Sequence, residues 1–403
     1  MIPDRPRVIG GDVILVSTAD WDNPHWTNKQ HLAVRLGRRG MRVLYLESLG
    51  LRRVRPRGAD LRRIIRRFLA FLRGPRPVAE RVWVFSPLQL PFPDWRAIRV
   101  LNRALLAWQV RILVKVLRFK HPVLWIFNPL ARWLKDVLAP AIVVYQCVDD
   151  LTAVPGVPSE LVRQEEVELV QTADLVIVTS RPLLEEKQAL SRRIHLSENT
   201  VDYARFATAL PVPTWLSTIP SPRLGYVGAI SSYKVNLELL AEIAENNPTW
   251  HLVLVGTTGE GDPDTSLESL HRMPNIHVFN AKPYDELPGI LRGFDVCLLP
   301  SRLNKYTEAM FPMKFFEYCA TGKPVVLTPL PALKEYWRLC YVGADVPSFE
   351  RAVVAAMAED PERADARREA ARLHDWEPRV DAILAALGEV GDPSASLPTY
   401  LHE

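Results

Sequence analysis

The chain of 403 residues is poor in cysteine, with four in all (Cys147, Cys297, Cys319 and Cys340) and no C-x-x-C pair. That spacing excludes a zinc ribbon and a thioredoxin-like centre. It also builds no disulfide scaffold, and reduced thiols of a cytoplasmic protein are the simpler expectation. No apolar run reaches the roughly 18–20 residues that a membrane span requires. The charged opening MIPDRPRVIGGDVILV has too short an apolar part for a secretory signal. G-x-G-x-x-G and G-x-x-x-x-G-K-[ST] are both missing, which removes the main support for dinucleotide binding and P-loop hydrolysis. H-E-x-x-H and G-x-S-x-G are missing too, so zincin and serine-hydrolase readings fall. No histidine is spaced with cysteine as a metal ligand would be, and no metal site is expected. What is present suits a folded protein. Hydrophobic residues make up 48% and charged residues 24%, which excludes a mainly disordered, collagenous or coiled-coil chain. The length predicts two domains.

The modest net charge of +4 conceals an asymmetry. Residues 51–120 hold 18 Lys and Arg against 3 Asp and Glu, or +15, which leaves 32 against 43, or −11, for the rest. Two stretches carry the excess. In 60–73, DLRRIIRRFLAFLR, apolar residues recur at i, i+3, i+4 spacing and arginines fill the other face. In 96–120, Ile98, Leu101, Leu105, Trp108, Ile112 and Val116 form one stripe. Such helices either pack on a sheet with solvated arginines or lie in an anionic membrane interface, and the second is expected here, mostly of the first helix. Nucleic acid is not expected, because the aromatics lie on the apolar faces rather than among the basic residues.

Short apolar strands alternate with helical stretches, which predicts parallel sheets covered by helices. The first half offers Asp12–Ser17, Arg42–Glu47, Val82–Phe85, Val123–Phe127, Ile142–Gln146 and Leu175–Thr179 as strands, with helices over Thr27–Arg39 and Ser159–Thr172. The second offers Arg223–Val227, His251–Val255, Ile276–Phe279, Val296–Leu299 and Val325–Thr328, with helices over Leu237–Glu245, Asp285–Arg292, Met310–Ala320 and Phe349–Ala358. Prolines 211, 213, 220 and 222 cluster at the junction. The expectation is an α/β protein of two doubly wound domains facing a central cleft: residues 1–203, residues 204–375, and a charged C-terminal helix and tail, 376–403, returning towards the first domain.

Four segments carry candidate chemistry. WDNPHWTNKQH (21–31) follows the first strand; Thr27 with Gln30 fits a capping box, and Trp26, Thr27 and Asn28 face the expected cleft, where a tryptophan can stack on a sugar ring. GAISSYK (228–234) places Gly228 at a strand end, where a ligand can approach the backbone, and Lys234 within reach of a diphosphate. In NKYTEAMFPMKFFEYCATGKPVV (304–326), Lys314 and Glu317 stand at i, i+3 on one helical face; the lysine suits phosphate and the glutamate the two hydroxyls of a ribose. VYQCVDDL (144–151) puts Asp149 and Asp150 after a buried strand, where one can be a general base with its pKa raised by the other, or merely a helix cap.

Together these segments resemble bacterial glycosyltransferases of the GT-B fold, of the group 1/4 cell-surface polysaccharide type. The resemblance runs over roughly residues 12–388, and P-x-K-x-x-E-Y-x-x-x-G-K-P-V (312–325) is its specific part. It implies transfer of a sugar from a nucleotide diphosphate sugar, most simply a UDP-sugar, without bound metal or other cofactor. By resemblance the second domain holds the nucleotide, with Glu317 on the ribose, Lys314 and Lys234 on the diphosphate, Gly228, Tyr306 and Thr307 lining the donor, and Phe279, Asn280 and Lys282 at the base. The first domain then holds a lipid-linked or polysaccharide acceptor at the inner face of the cytoplasmic membrane. The sequence departs from the retaining branch: Ala309 stands where a glutamate is usual, Glu308 is one residue off, and no arginine precedes Lys234 at Ala229–Ile230. An inverting mechanism based on Asp149 or Asp150 is therefore open. So are a nucleotide-sugar epimerase and a non-catalytic membrane scaffold of the same fold.

Overall fold

The structure, a computed structural model, describes residues 11–23, 26–49, 68–90, 96–259, 262 and 265–390. The first domain is built on an eight-stranded sheet of order β3-β4-β2-β1-β5-β6-β7-β8. Its strands are β1 (Asp12–Val16), β2 (Arg42–Leu46), β3 (Arg76–Ala79), β4 (Val82–Phe85), β5 (Val123–Ile126), β6 (Ile142–Cys147), β7 (Leu175–Val178) and β8 (Ile194–Leu196). All pairs are parallel except β3 with β4. The second domain has a parallel sheet of order β11-β10-β9-β12-β13-β14. Its strands are β9 (Arg223–Val227), β10 (His251–Val255), β11 (Ile276–Phe279), β12 (Val296–Leu299), β13 (Val325–Leu327) and β14 (Tyr341–Val342).

Why β1 is a solid apolar run follows from its place. Val13 and Leu15 face one core with the helix Asn28–Arg38, and Ile14 and Val16 face another with the helix Arg96–Val116. A strand covered on both faces cannot alternate with polar residues. The second sheet is covered likewise, by the helix Lys314–Thr321 on one face and the helix Leu237–Asn246 on the other. The C-terminal helix Trp376–Val390 leaves the second domain and lays Trp376, Val380, Ile383 and Leu387 on the first-domain core. In each sheet the strand order reverses beside the first strand of its domain, between β1 and β5 and between β9 and β12, so ligand crevices open at those carboxyl ends.

Three differences from the sequence reading have physical causes. The expected helix Met310–Ala320 starts only at Lys314 and runs to Thr321, with a separate short helix, Lys305–Ala309, before it, because Pro312 cannot donate within a helix and disfavours helical backbone before it. The short strands β3, β8 and β14 were not expected; they sit at sheet edges with half-exposed residues that carry no apolar run. The third is the stripe of Arg96–Val116. The helix buries Leu106, Val110 and Leu113 on the sheet, while Leu101, Trp108, Ile112 and Val116 of the expected stripe are exposed. The helix has two apolar faces, and helical periodicity cannot tell which one meets the sheet. The other basic stretch, 60–73, lies outside the described residues up to Arg67; residues 68–72 are helical.

Candidate functional site

The donor-side cradle begins where β9 ends. Gly228 has φ of +139°, a conformation L side chains rarely adopt. A Cβ placed there would overlap the Lys314 side chain and lie 2.5 Å from its Nζ. One strand over, a Cβ on Gly256 would overlap the Gly228 carbonyl. Two glycines thus let backbone and lysine meet without intervening side chains. Lys314 opens the helix Lys314–Thr321, and its Nζ lies 5.3 Å from the centre of the Tyr226 ring.

One turn further along, Glu317 is 7% exposed, and its carboxylate makes no side-chain hydrogen bond among the described residues. Burial raises its pKa to about 7, against the opposing charge of Lys314. A buried, unpartnered carboxylate is costly and is relieved by a hydrogen-bond donor such as a hydroxyl. Burial also raises the Tyr284 phenol well above its usual range, with the charges of Glu317 and Asp202 adding to the effect.

Other expected donor residues divide. Lys234 and Tyr306 come together: Lys234 Nζ lies 5.4 Å from the Tyr233 ring and 5.7 Å from the Tyr306 ring, and the two rings meet edge-on at 5.1 Å. Thr307 has no surface to offer. It is fully buried, its hydroxyl donates to the Arg302 carbonyl, and the same oxygen accepts from Asn304 N at 3.1 Å. It is a capping residue of the helix Lys305–Ala309 rather than a ligand contact.

On the first-domain side, Gln30 Oε1 accepts from Thr27 N at 3.1 Å and from Thr27 Oγ1 at 2.7 Å, so the capping interaction is present. Asn28 is buried; its Nδ2 donates to Asn199 Oδ1, and Asn199 Nδ2 donates to the Phe311 carbonyl of the second domain at 2.7 Å. Trp26 stacks on Tyr284 with centroids 6.2 Å apart and planes 16° from parallel. Of the expected base loop, Phe279 and Lys282 both lie against Trp215 of their own domain, and Asn280 is exposed. It is the end of that loop, Tyr284, that reaches across. A cavity of about 430 Å³ lies at this crossing, lined by Trp26, His31, Arg35, Arg205 and Tyr284 among others.

The two aspartates have different environments. Asp150 is 7% exposed; its Oδ1 accepts from Thr152 N and Oγ1, and Oδ2 pairs with Lys305 of the second domain at 3.1 Å. Burial pushes its pKa up, but the hydrogen bonds from Thr152 and Lys305 outweigh that and hold it below the usual carboxylate range. The expected raised pKa is therefore absent at Asp150, which is a cap and an interdomain clamp. Asp149 lines a small pocket with Thr18, Lys29, Phe127 and Tyr145.

Sequence reasoning missed the seam. Ser180 Oγ donates to the Ala309 carbonyl at 2.7 Å, and with Asn199 it ties the first domain to both ends of the segment before Lys314. Ala309 is buried in the first-domain core, and Glu308 beside it is exposed. Lys305 stood inside the quoted 304–326 block; nothing local pointed to the interdomain role of Ser180 and Asn199, because each acts across the domain boundary.

The family described as glycosyl transferases group 1 matches residues 221–359, which hold Gly228, Lys234, Lys314 and Glu317. That stretch of the second domain is similar to glycosyl transferases group 1. TuaH of Bacillus subtilis (strain 168), assigned to teichuronic acid biosynthesis as a glycosyltransferase, is 29% identical over 58% of this chain and 64% of its own length. The chain thus spans less than two thirds of that relative. Among solved structures, sucrose-phosphate synthase of Thermosynechococcus elongatus superposes with a TM-score of 0.69 at 15% identity, covering 94% of this chain and 99% of its own. Anabaena Alr3699/HepE in complex with UDP and glucose gives 0.67 at 16%, covering 94% and 100%. These likenesses establish the fold, which is GT-B: two Rossmann-like domains, with the group 1 match lying in the second.

Proposed function

We propose that the protein is a glycosyltransferase that moves a sugar from a UDP-sugar to a lipid-linked or polysaccharide acceptor at the inner face of the cytoplasmic membrane. The observation that carries this is the buried, unpartnered carboxylate of Glu317 one helical turn from Lys314, which itself lies against Gly228. A ribose hydroxyl supplies the hydrogen bond Glu317 lacks. The diphosphate is received by Lys314 and the Gly228 backbone. The uridine donor is supported by the UDP-bound Anabaena structure, and the glycan product by the assignment of TuaH.

In the reaction, the bond from the anomeric carbon to the diphosphate oxygen breaks and one from that carbon to an acceptor oxygen forms. The leaving diphosphate gains negative charge, and Lys314 with Lys234 stabilises it without a metal ion. Asp149, at the carboxyl end of β6, takes the acceptor proton in an inverting displacement. The test is thermal unfolding with UDP, GDP, TDP, CDP and ADP, each with and without magnesium. The reading expects a shift with UDP of several degrees, independent of magnesium and lost in Glu317→Ala. No shift with any nucleotide rejects it.

A further inference from the structure

We infer that the outer face of the helix Arg96–Val116 is a membrane-insertion surface for an anionic bilayer. The inference rests on its own observation and adds to the proposed function the way the acceptor is reached. The helix already meets the sheet through Leu106, Val110 and Leu113. A second apolar row, at i, i+4, i+3, i+4, i+4 spacing over Leu101, Leu105, Trp108, Ile112 and Val116, points away from that core. Trp108 is 57% and Val116 66% exposed. Isolated exposed apolar residues are ordinary, whereas a row at helical spacing along one helix is a surface built to be covered.

Charge selects the occupant. The helix carries five basic residues and no acidic one. Arg111 and Lys115 flank the exposed row and make no ion pair among the described residues. A second copy of the chain would bring a like-charged face to this one, which costs energy, whereas an anionic lipid surface is complementary. Trp108 in mid-row suits the headgroup level, with the aliphatic residues below it. The helical residues 68–72 add Phe68, Leu69 and Leu72, 45%, 50% and 62% exposed, while Phe71 packs on Phe85 at the carboxyl end of β4. This surface therefore begins at the cleft end of the first domain, where a lipid-borne acceptor would have to arrive. No helix among the described residues is long and apolar enough to cross a membrane, so attachment is interfacial.

The experiment is flotation of the full chain with vesicles of phosphatidylcholine alone or with about one third phosphatidylglycerol. Expected are binding to the anionic vesicles only, weakening as salt rises, and at least tenfold weaker binding for Trp108→Glu/Ile112→Glu. Arg111→Glu/Lys115→Glu should also bind at least tenfold more weakly. A UDP thermal shift retained in both variants keeps misfolding out of the result. Equal binding of the variants, or no binding of the wild type, overturns the inference. So does a dimer in lipid-free buffer that Trp108→Glu dissolves, which would assign the face to a second copy. Vesicle binding without any nucleotide shift would uphold this inference while rejecting the glycosyltransferase reading.

Discussion

Gly228 and Lys314 occupy one space: a methyl group on the glycine would overlap the lysine side chain and stand 2.5 Å from its Nζ. The two residues are far apart in sequence and meet because β9 ends where the helix Lys314–Thr321 begins. Gly228→Ala therefore strains a positive-φ backbone and displaces Lys314. Expected are a loss of about 1–3 kcal/mol in unfolding free energy and UDP affinity at least tenfold lower. Urea unfolding and calorimetric titration read the two. Lys314→Met should reproduce the affinity loss without the stability loss.

Glu317 gives a pH signature. Its pKa in the folded chain is raised to about 7 from the usual 4.5. Between those values the folded state holds a proton that the unfolded state has lost, so its contribution falls as pH rises through this window and levels off above it. The difference in stability between wild type and Glu317→Gln should fall by on the order of 3 kcal/mol from pH 4.5 to 8. UDP affinity over pH 6 to 8 should differ in slope between wild type and Glu317→Gln, the difference reporting ionisation of Glu317 over that of the terminal phosphate of UDP, which both share.

Neighbouring aspartates should separate in function. Asp149→Ala is expected to keep its melting temperature and lose on the order of 100-fold in kcat, as for loss of a general base. Asp150→Ala should lose about 1 kcal/mol of stability through its cap and a smaller part of kcat. The Asp150 contribution is present above the ordinary carboxylate pKa and is lost as pH falls through its lowered folded value. A large kcat loss at Asp150 with none at Asp149 would reverse the assignment.

The stack of Trp26 on Tyr284 joins the two domains beside the contacts of Ser180, Asn199 and Asp150. Such a pair contributes about 0.5–1.5 kcal/mol beyond its buried area. Tyr284→Ala should raise KM more than it lowers kcat and enlarge the radius of gyration in solution scattering without nucleotide. Tyr284→Phe should behave as wild type, because the ring rather than the hydroxyl makes this contact.

What the chain determined by itself was local. Strands such as Arg223–Val227 and Val296–Leu299 stand where apolar runs between turn residues put them. Lys314 and Glu317 were legible because three residues of helix place both on one face, whatever the rest of the fold does. Thr27 and Gln30 were legible for the same reason. Only the tertiary structure decided the remainder. Thr307 looked like a donor contact and Asp150 like a general base or a cap until Asn304, Thr152 and Lys305 were seen to occupy their oxygens. Ser180 and Asn199 had no interdomain role to show until Ala309 and Phe311 arrived across the boundary. The helix Arg96–Val116 had two apolar faces in its sequence, and the sheet chose one. Periodicity reports which residues share a face of an element. What that face meets is set by long-range packing, in which hydrogen bonds and burial are exchanged between segments that no local pattern connects.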